Sequence, residues 1–82
     1  MVKEVRRTNN FLRRLQKLDK SYIDRVEKLV TKIINNPEIG KPMKFERKGT
    51  REVYINPFRI SYAYDKNNDI LYFLDLYHKD EQ

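Results

Sequence analysis

Between Phe11 and Leu18 the apolar side chains fall at Phe11, Leu12, Leu15 and Leu18, which is the i, i+1, i+4, i+7 spacing of one helical face. Arg13, Arg14 and Lys17 are left for solvent, so the spacing predicts a short basic helix. Ser21 followed by Asp24 reads as a capping box opening a second helix. Its stripe of Tyr22, Ile23, Val26, Leu29, Val30, Ile33 and Ile34 runs until Asn35-Asn36-Pro37 stops it. The two helices form a hairpin joined near Asp19-Lys20.

After Pro37 the period changes from near four to near two, which marks strands. Arg51 to Ile55 alternates with Val53 and Ile55 on one side, and Asn56-Pro57 makes a turn. In the next run Phe58, Ile60, Tyr62 and Tyr64 alternate with Arg59, Ser61 and Ala63. Asp65 to Asp69 is a polar turn, and Ile70 to His78 carries large side chains on both faces, as expected of a strand buried on two sides or covered by a partner. Val2 to Arg6 adds a weak first strand. The order predicts an α+β fold in one domain over residues 1–82: an N-terminal strand and a helical hairpin packed on one face of a mainly antiparallel sheet of three to four strands. A sheet face carrying Ile70, Tyr72, Leu74 and Leu76 is too apolar to be left to water, which points to a groove for a ligand or partner.

Composition narrows the setting. Eighty-two residues allow one modest core, so stability is thin and a bound partner matters to it. The absence of cysteine excludes disulfides and thiolate metal sites and fits a reducing compartment. The N-terminal residues are charged, with no signal-peptide core, and no apolar run is long enough for a membrane span. A soluble cytoplasmic protein is expected.

The net charge of +6 is concentrated in two segments. Residues 1–20 hold seven cations against two acids, and residues 41–51 hold Lys41, Lys44, Arg47, Lys48 and Arg51 against Glu46 alone. Such patterning suits a polyanionic partner, either nucleic acid or an acidic protein segment. It also fits a heat-adapted surface rich in ion pairs.

Four blocks in order then become informative: Gly49; Arg51-Glu52 with Val53-Tyr54-Ile55; Phe58-Arg59-Ile60-Ser61-Tyr62; and Leu74-Asp75-Leu76-Tyr77-His78. Together with the helical hairpin this set resembles the RelE/ParE toxin superfamily over essentially the whole chain. The resemblance implies the protein half of a toxin–antitoxin pair, with a cognate antitoxin as partner. RelE-like and YoeB-like members enter the ribosomal A site and cleave messenger RNA, whereas ParE-like members poison DNA gyrase and are not nucleases. Gly40-Lys41-Pro42 is similar to the YoeB-like sequence and leans towards the ribonuclease. A third reading is a homologue that only binds an antitoxin.

Cleaving RNA without a metal or cofactor needs a base for the 2′-hydroxyl, cations for the charged phosphorane and an acid for the leaving 5′ oxygen. Arg59 suits the phosphate through its charged fork, and His78 suits proton transfer because it titrates near neutrality. Lys41, Lys44, Arg47, Lys48, Arg51 and Lys79 are candidates for the RNA and ribosome backbone, and Tyr54 and Tyr77 for stacking bases. Tyrosines alternating along strands are also ordinary core residues with a wet tip. Met43 stands where YoeB-like toxins carry a carboxylate, so the base falls to Glu46 or Glu52. The lysine pair of RelE-like toxins falls on Glu52 and Tyr54, and their late tyrosine has no counterpart after His78. If Asp65 sits opposite Ile70, Arg59 opposes Leu76 and shares a face with His78; a slip of one residue separates them.

Overall fold

The computed structural model describes residues 2–81. In chain order its elements are β1 (Glu4–Arg7), α1 (Asn9–Gln16), α2 (Lys20–Asn35), β2 (Lys41–Pro42), β3 (Arg51–Ile55), β4 (Phe58–Asp65) and β5 (Ile70–His78). Short 3-10 turns occupy Phe45–Arg47 and Lys79–Glu81. The strands form one sheet ordered β1-β5-β4-β3-β2, with β1 parallel to β5 and the other pairs antiparallel. The α+β architecture is as expected, but the sheet has five strands instead of three or four. The additional strand is β2, two residues paired with Arg51 and Glu52, too short to show any alternation.

Helix α1 starts where Thr8 turns the chain. Its Oγ1 accepts from the Phe11 N–H at 3.1 Å and donates to the Leu74 carbonyl at 2.7 Å, so one hydroxyl caps the helix and pins it to β5. The expected Ser21/Asp24 capping box does not form: α2 begins two residues earlier, at Lys20, with Asp19 in the cap position and no side-chain cap bond. Phe11 and Leu15 of α1 meet Val26, Val30 and Ile33 of α2 and Ile60, Tyr62, Leu71, Phe73 and Leu76 of the sheet in one core. Burial of each such large side chain contributes about 1.5–3 kcal/mol.

The register departs from simple pairing. Asp65 does sit opposite Ile70, and pairing continues to Tyr62 opposite Phe73. The ladder then shifts, so that Ser61 opposes Asp75 and Leu74 is skipped. Beyond this bulge Arg59 opposes Tyr77, and Phe58 opposes His78. Leu76, expected on the open face, is therefore in the core at 2% exposure. Tyr72 lies under the Arg6 guanidinium, 5.6 Å from its ring centre.

Two polar contacts tie the layers together. The Tyr62 ring is fully buried, and its hydroxyl accepts from the Gly40 N–H at 2.8 Å and donates to the Pro37 carbonyl at 2.9 Å. The connector from α2 to the sheet is thus held by a core phenol, whose burial pushes its pKa up. A Cβ on Gly40 would lie 2.6 Å from that oxygen, so only glycine fits. At the other edge Arg7 of β1 grips Glu27 of α2 with two bonds of 2.9 and 2.6 Å. This bond to Arg7 holds the Glu27 carboxyl below the usual carboxylate range.

Tyr62→Phe leaves the Gly40 and Pro37 groups without their partner, and urea unfolding is expected to show a loss of about 1–3 kcal/mol. The Arg7–Glu27 contribution is complete at neutral pH and is lost as pH falls through the depressed Glu27 pKa. Glu27→Gln is therefore expected to lower the urea midpoint at pH 7 while narrowing the gap to wild type by about pH 3.

Candidate functional site on the open sheet face

Residues directly opposite each other in a sheet share a face, so the register builds the site row by row. One row runs Tyr54, Arg59, Tyr77 across β3, β4 and β5. The next holds Lys41, Glu52 and Ser61 on β2, β3 and β4. These rows face away from the helices.

At their centre lies Glu52, an acid only 7% exposed. Its Oε2 accepts from Arg47 Nη1 at 2.7 Å and from the Tyr77 hydroxyl, while its Oε1 is 3.5 Å from Arg59 Nη1. Arg47 Nη1 also donates to the Tyr77 oxygen at 3.0 Å. That bond to Tyr77, with the Glu52 charge beside it, pushes the Arg47 guanidinium pKa up. Each guanidinium also lies over a ring, Arg47 over Tyr77 and Arg59 over Tyr54, both at 5.8 Å from the ring centre. A buried carboxylate with two arginines and a phenol around it is compensated, as burial of charge demands.

Beside this array is a cavity of about 230 Å³ lined by Lys41, Met43, Glu52, Tyr54 and Arg59. Arg59 Nε is buried and has no hydrogen-bond partner among the described residues. Arg47 reaches the array from outside the strands, on the 3-10 turn Phe45–Arg47. Thr50 fixes this turn, its Oγ1 donating to the Arg47 carbonyl at 2.7 Å and its own carbonyl accepting from Met43 N–H at 3.0 Å.

Of the residues expected from sequence, Glu52, Arg59, Arg47, Tyr54, Tyr77 and Lys41 come together here. His78 does not. The bulge places it opposite Phe58 on the helix side, with its ring 5.7 Å from the Phe58 ring centre. There it lines a separate groove of about 410 Å³ with Arg13, Arg14 and Lys17. Its Nδ1 accepts from the Asp80 N–H at 3.2 Å. Of the two registers open from the sequence, the structure has the one-residue slip, which puts Arg59 and His78 on opposite faces.

Arg51 is also engaged elsewhere, donating to the Glu38 and Gly40 carbonyls at 3.1 and 2.8 Å on the core side, where it secures the α2 connector. Lys44, Glu46 and Lys48 are exposed on the loop carrying Arg47, and Lys79 is exposed after β5; none of them lines the cavity. Sequence reasoning missed Ser61 as a member of the central row, although its alternation with Ile60 and Tyr62 already put it beside Arg59 on the outward side. It also missed Tyr77 as a bridge between Arg47 and Glu52, which no local pattern announces.

With this geometry in view, comparison with known proteins is specific. The chain closely matches the fold of the toxin–antitoxin complex RelBE2 from Mycobacterium tuberculosis, at 25% identity and a TM-score of 0.85, over 96% of this chain and 93% of that one. The archaeal RelE–RelB complex from Pyrococcus horikoshii OT3 aligns over 100% of both chains at 18% identity and a TM-score of 0.79. YafQ from E. coli strain BL21(DE3) aligns over 94% of this chain and 93% of that one at 19% identity and a TM-score of 0.74. No curated protein matches the sequence. The model of the ParE toxin of the type II toxin–antitoxin system parDE matches residues 3–82. The chain therefore belongs to this family and is a toxin of a type II toxin–antitoxin system.

Proposed function

We propose that this toxin inhibits translation by cutting messenger RNA on the ribosome, using the open sheet face. The observation that carries this reading is the convergence of Arg47, Arg59, Glu52 and Tyr77 beside a cavity that also admits Lys41 and Tyr54. A scissile phosphate seated there meets the partly exposed guanidinium of Arg59, whose charged fork stabilises the phosphorane. Glu52 takes the 2′-hydroxyl proton as the 2′ oxygen attacks phosphorus. Lys41 gives a proton to the departing 5′ oxygen, leaving a cyclic phosphate and a free hydroxyl. Tyr54, about half exposed, offers a ring to a neighbouring base.

This assigns the base to Glu52, over Glu46, and gives His78 no step at the phosphate held by Arg59. The M. tuberculosis complex pairs a toxin with an antitoxin, and the P. horikoshii one is a RelE–RelB complex. By that likeness a cognate antitoxin is the partner here, an acidic segment suited to the cationic surface. The separation of His78 from Arg59 favours one second reading, a gyrase poison of the ParE type, because that activity requires no catalytic pair.

The test incubates purified toxin with translating ribosomes and a defined message, maps cuts by primer extension, and follows DNA breaks with gyrase in parallel. Cuts that need the ribosome are expected. Arg59→Ala and Glu52→Gln should each slow them by about 100-fold or more, while His78→Ala stays within a few-fold of wild type. An intact message together with gyrase-dependent breaks would establish the second reading. Loss of cutting in His78→Ala alone would return the chemistry to the helix-side groove.

A further inference from the structure

Phe45 is 91% exposed, whereas among the described residues the other exposed large apolar side chains, Val5, Leu12, Ile39 and Tyr54, range from 37% to 51%. Its backbone is in the left-handed region at φ 59°, a conformation that is unfavourable for a side chain with a Cβ. Both features oppose ordinary selection for stability. A ring that gains nothing from burial is held out by a strained residue.

The loop that carries it is nevertheless well fixed. The Phe45 carbonyl accepts from Lys48 N–H at 3.0 Å, and Thr50 N–H donates to the Arg47 carbonyl at 3.0 Å. Gly49, at φ 97°, takes a second left-handed position that closes the loop. Two residues after Phe45 in the same 3-10 turn, Arg47 enters the array around Glu52. Two residues before it, Met43 lines the cavity beside Arg59. Phe45 thus sits between two residues of the site, on a loop anchored inside it.

Its surroundings select the ligand. Lys44, Arg47 and Lys48 are close to it in sequence, and Glu46 is the single acid in the segment. A protein contact of high affinity places an aromatic inside a wider apolar patch, and the segment supplies no such patch around Phe45. A lone ring among cations is the pattern that tracks a single-stranded nucleic acid, with bases stacked on the ring and phosphates held by the cations. We propose that Phe45 is a stacking platform for an unpaired RNA base next to the phosphate held by Arg59. This subsite rests on the RNA reading given above.

The test titrates purified toxin into a short single-stranded RNA containing 2-aminopurine, whose fluorescence falls when the base stacks, with no ribosome present. Wild type and Phe45→Trp are expected to quench it. Phe45→Ala should weaken binding roughly 5- to 100-fold and abolish the quench at saturation, with an unchanged urea midpoint. Absence of quenching in wild type, or equal quenching in Phe45→Ala, would overturn the proposal. So would unchanged quenching in Phe45→Ala combined with weakened antitoxin binding, which would assign the ring to a protein contact. Because the readout requires no cleavage, a toxin that quenches but never cuts refutes the nuclease reading and leaves the stacking site standing.

Discussion

Between Ser61 and Tyr62 the ladder from β4 to β5 slips by one residue, and the character of both sheet faces follows from that slip. On the Asp65 side of the bulge, Leu71 and Phe73 point into the helical layer. Past it the same strand keeps Leu76 in the core, although an uninterrupted alternation from Phe73 would send Leu76 outward. Tyr77 is thereby delivered to Arg59 and Glu52, and His78 to Phe58. The Leu74 carbonyl receives the Thr8 hydroxyl, so the irregularity is also where the first helix is fastened to the sheet.

Around that geometry the electrostatics are reciprocal. Glu52 tolerates burial because Arg47, Arg59 and Tyr77 satisfy it, and those groups hold their positions because Glu52 is fixed on a central part of β3. The arginines remain partly exposed, at 48% and 36% of their side-chain surface, so each can exchange a carboxylate contact for a phosphate. A carboxylate among cations also restrains the positive field that the segment from Lys41 to Arg51 would otherwise present to any anion.

Much of this was legible in the chain. The helices were visible because a 3.6-residue period repeats over many positions, and β3, β4 and β5 because a two-residue period does. That same period shows Arg51 on the side of Val53 and Ile55, where it serves the fold, and Arg59 on the side of Ser61 and Ala63, where it serves the site. What escaped depends on pairing between segments distant in sequence. The bulge at Leu74 has no glycine to mark it, and a strand as short as β2 has no period. The irregular backbone that lets Arg47 reach Tyr77, thirty positions away, follows from tertiary contacts alone.

Strand β5 lies between β1 and β4 in the sheet, although it is made after both. Until Ile70 to His78 has been synthesised, β1 has no neighbour to bond, Thr8 has no Leu74 carbonyl to hold, and Phe11 lacks the Phe73 ring beside it. The earlier segments can form helices and the β3–β4 hairpin, but contacts across more than sixty residues wait for the last strand. The order of synthesis therefore leaves the first helix unfastened and Glu52 without its Tyr77 partner until β5 has been made.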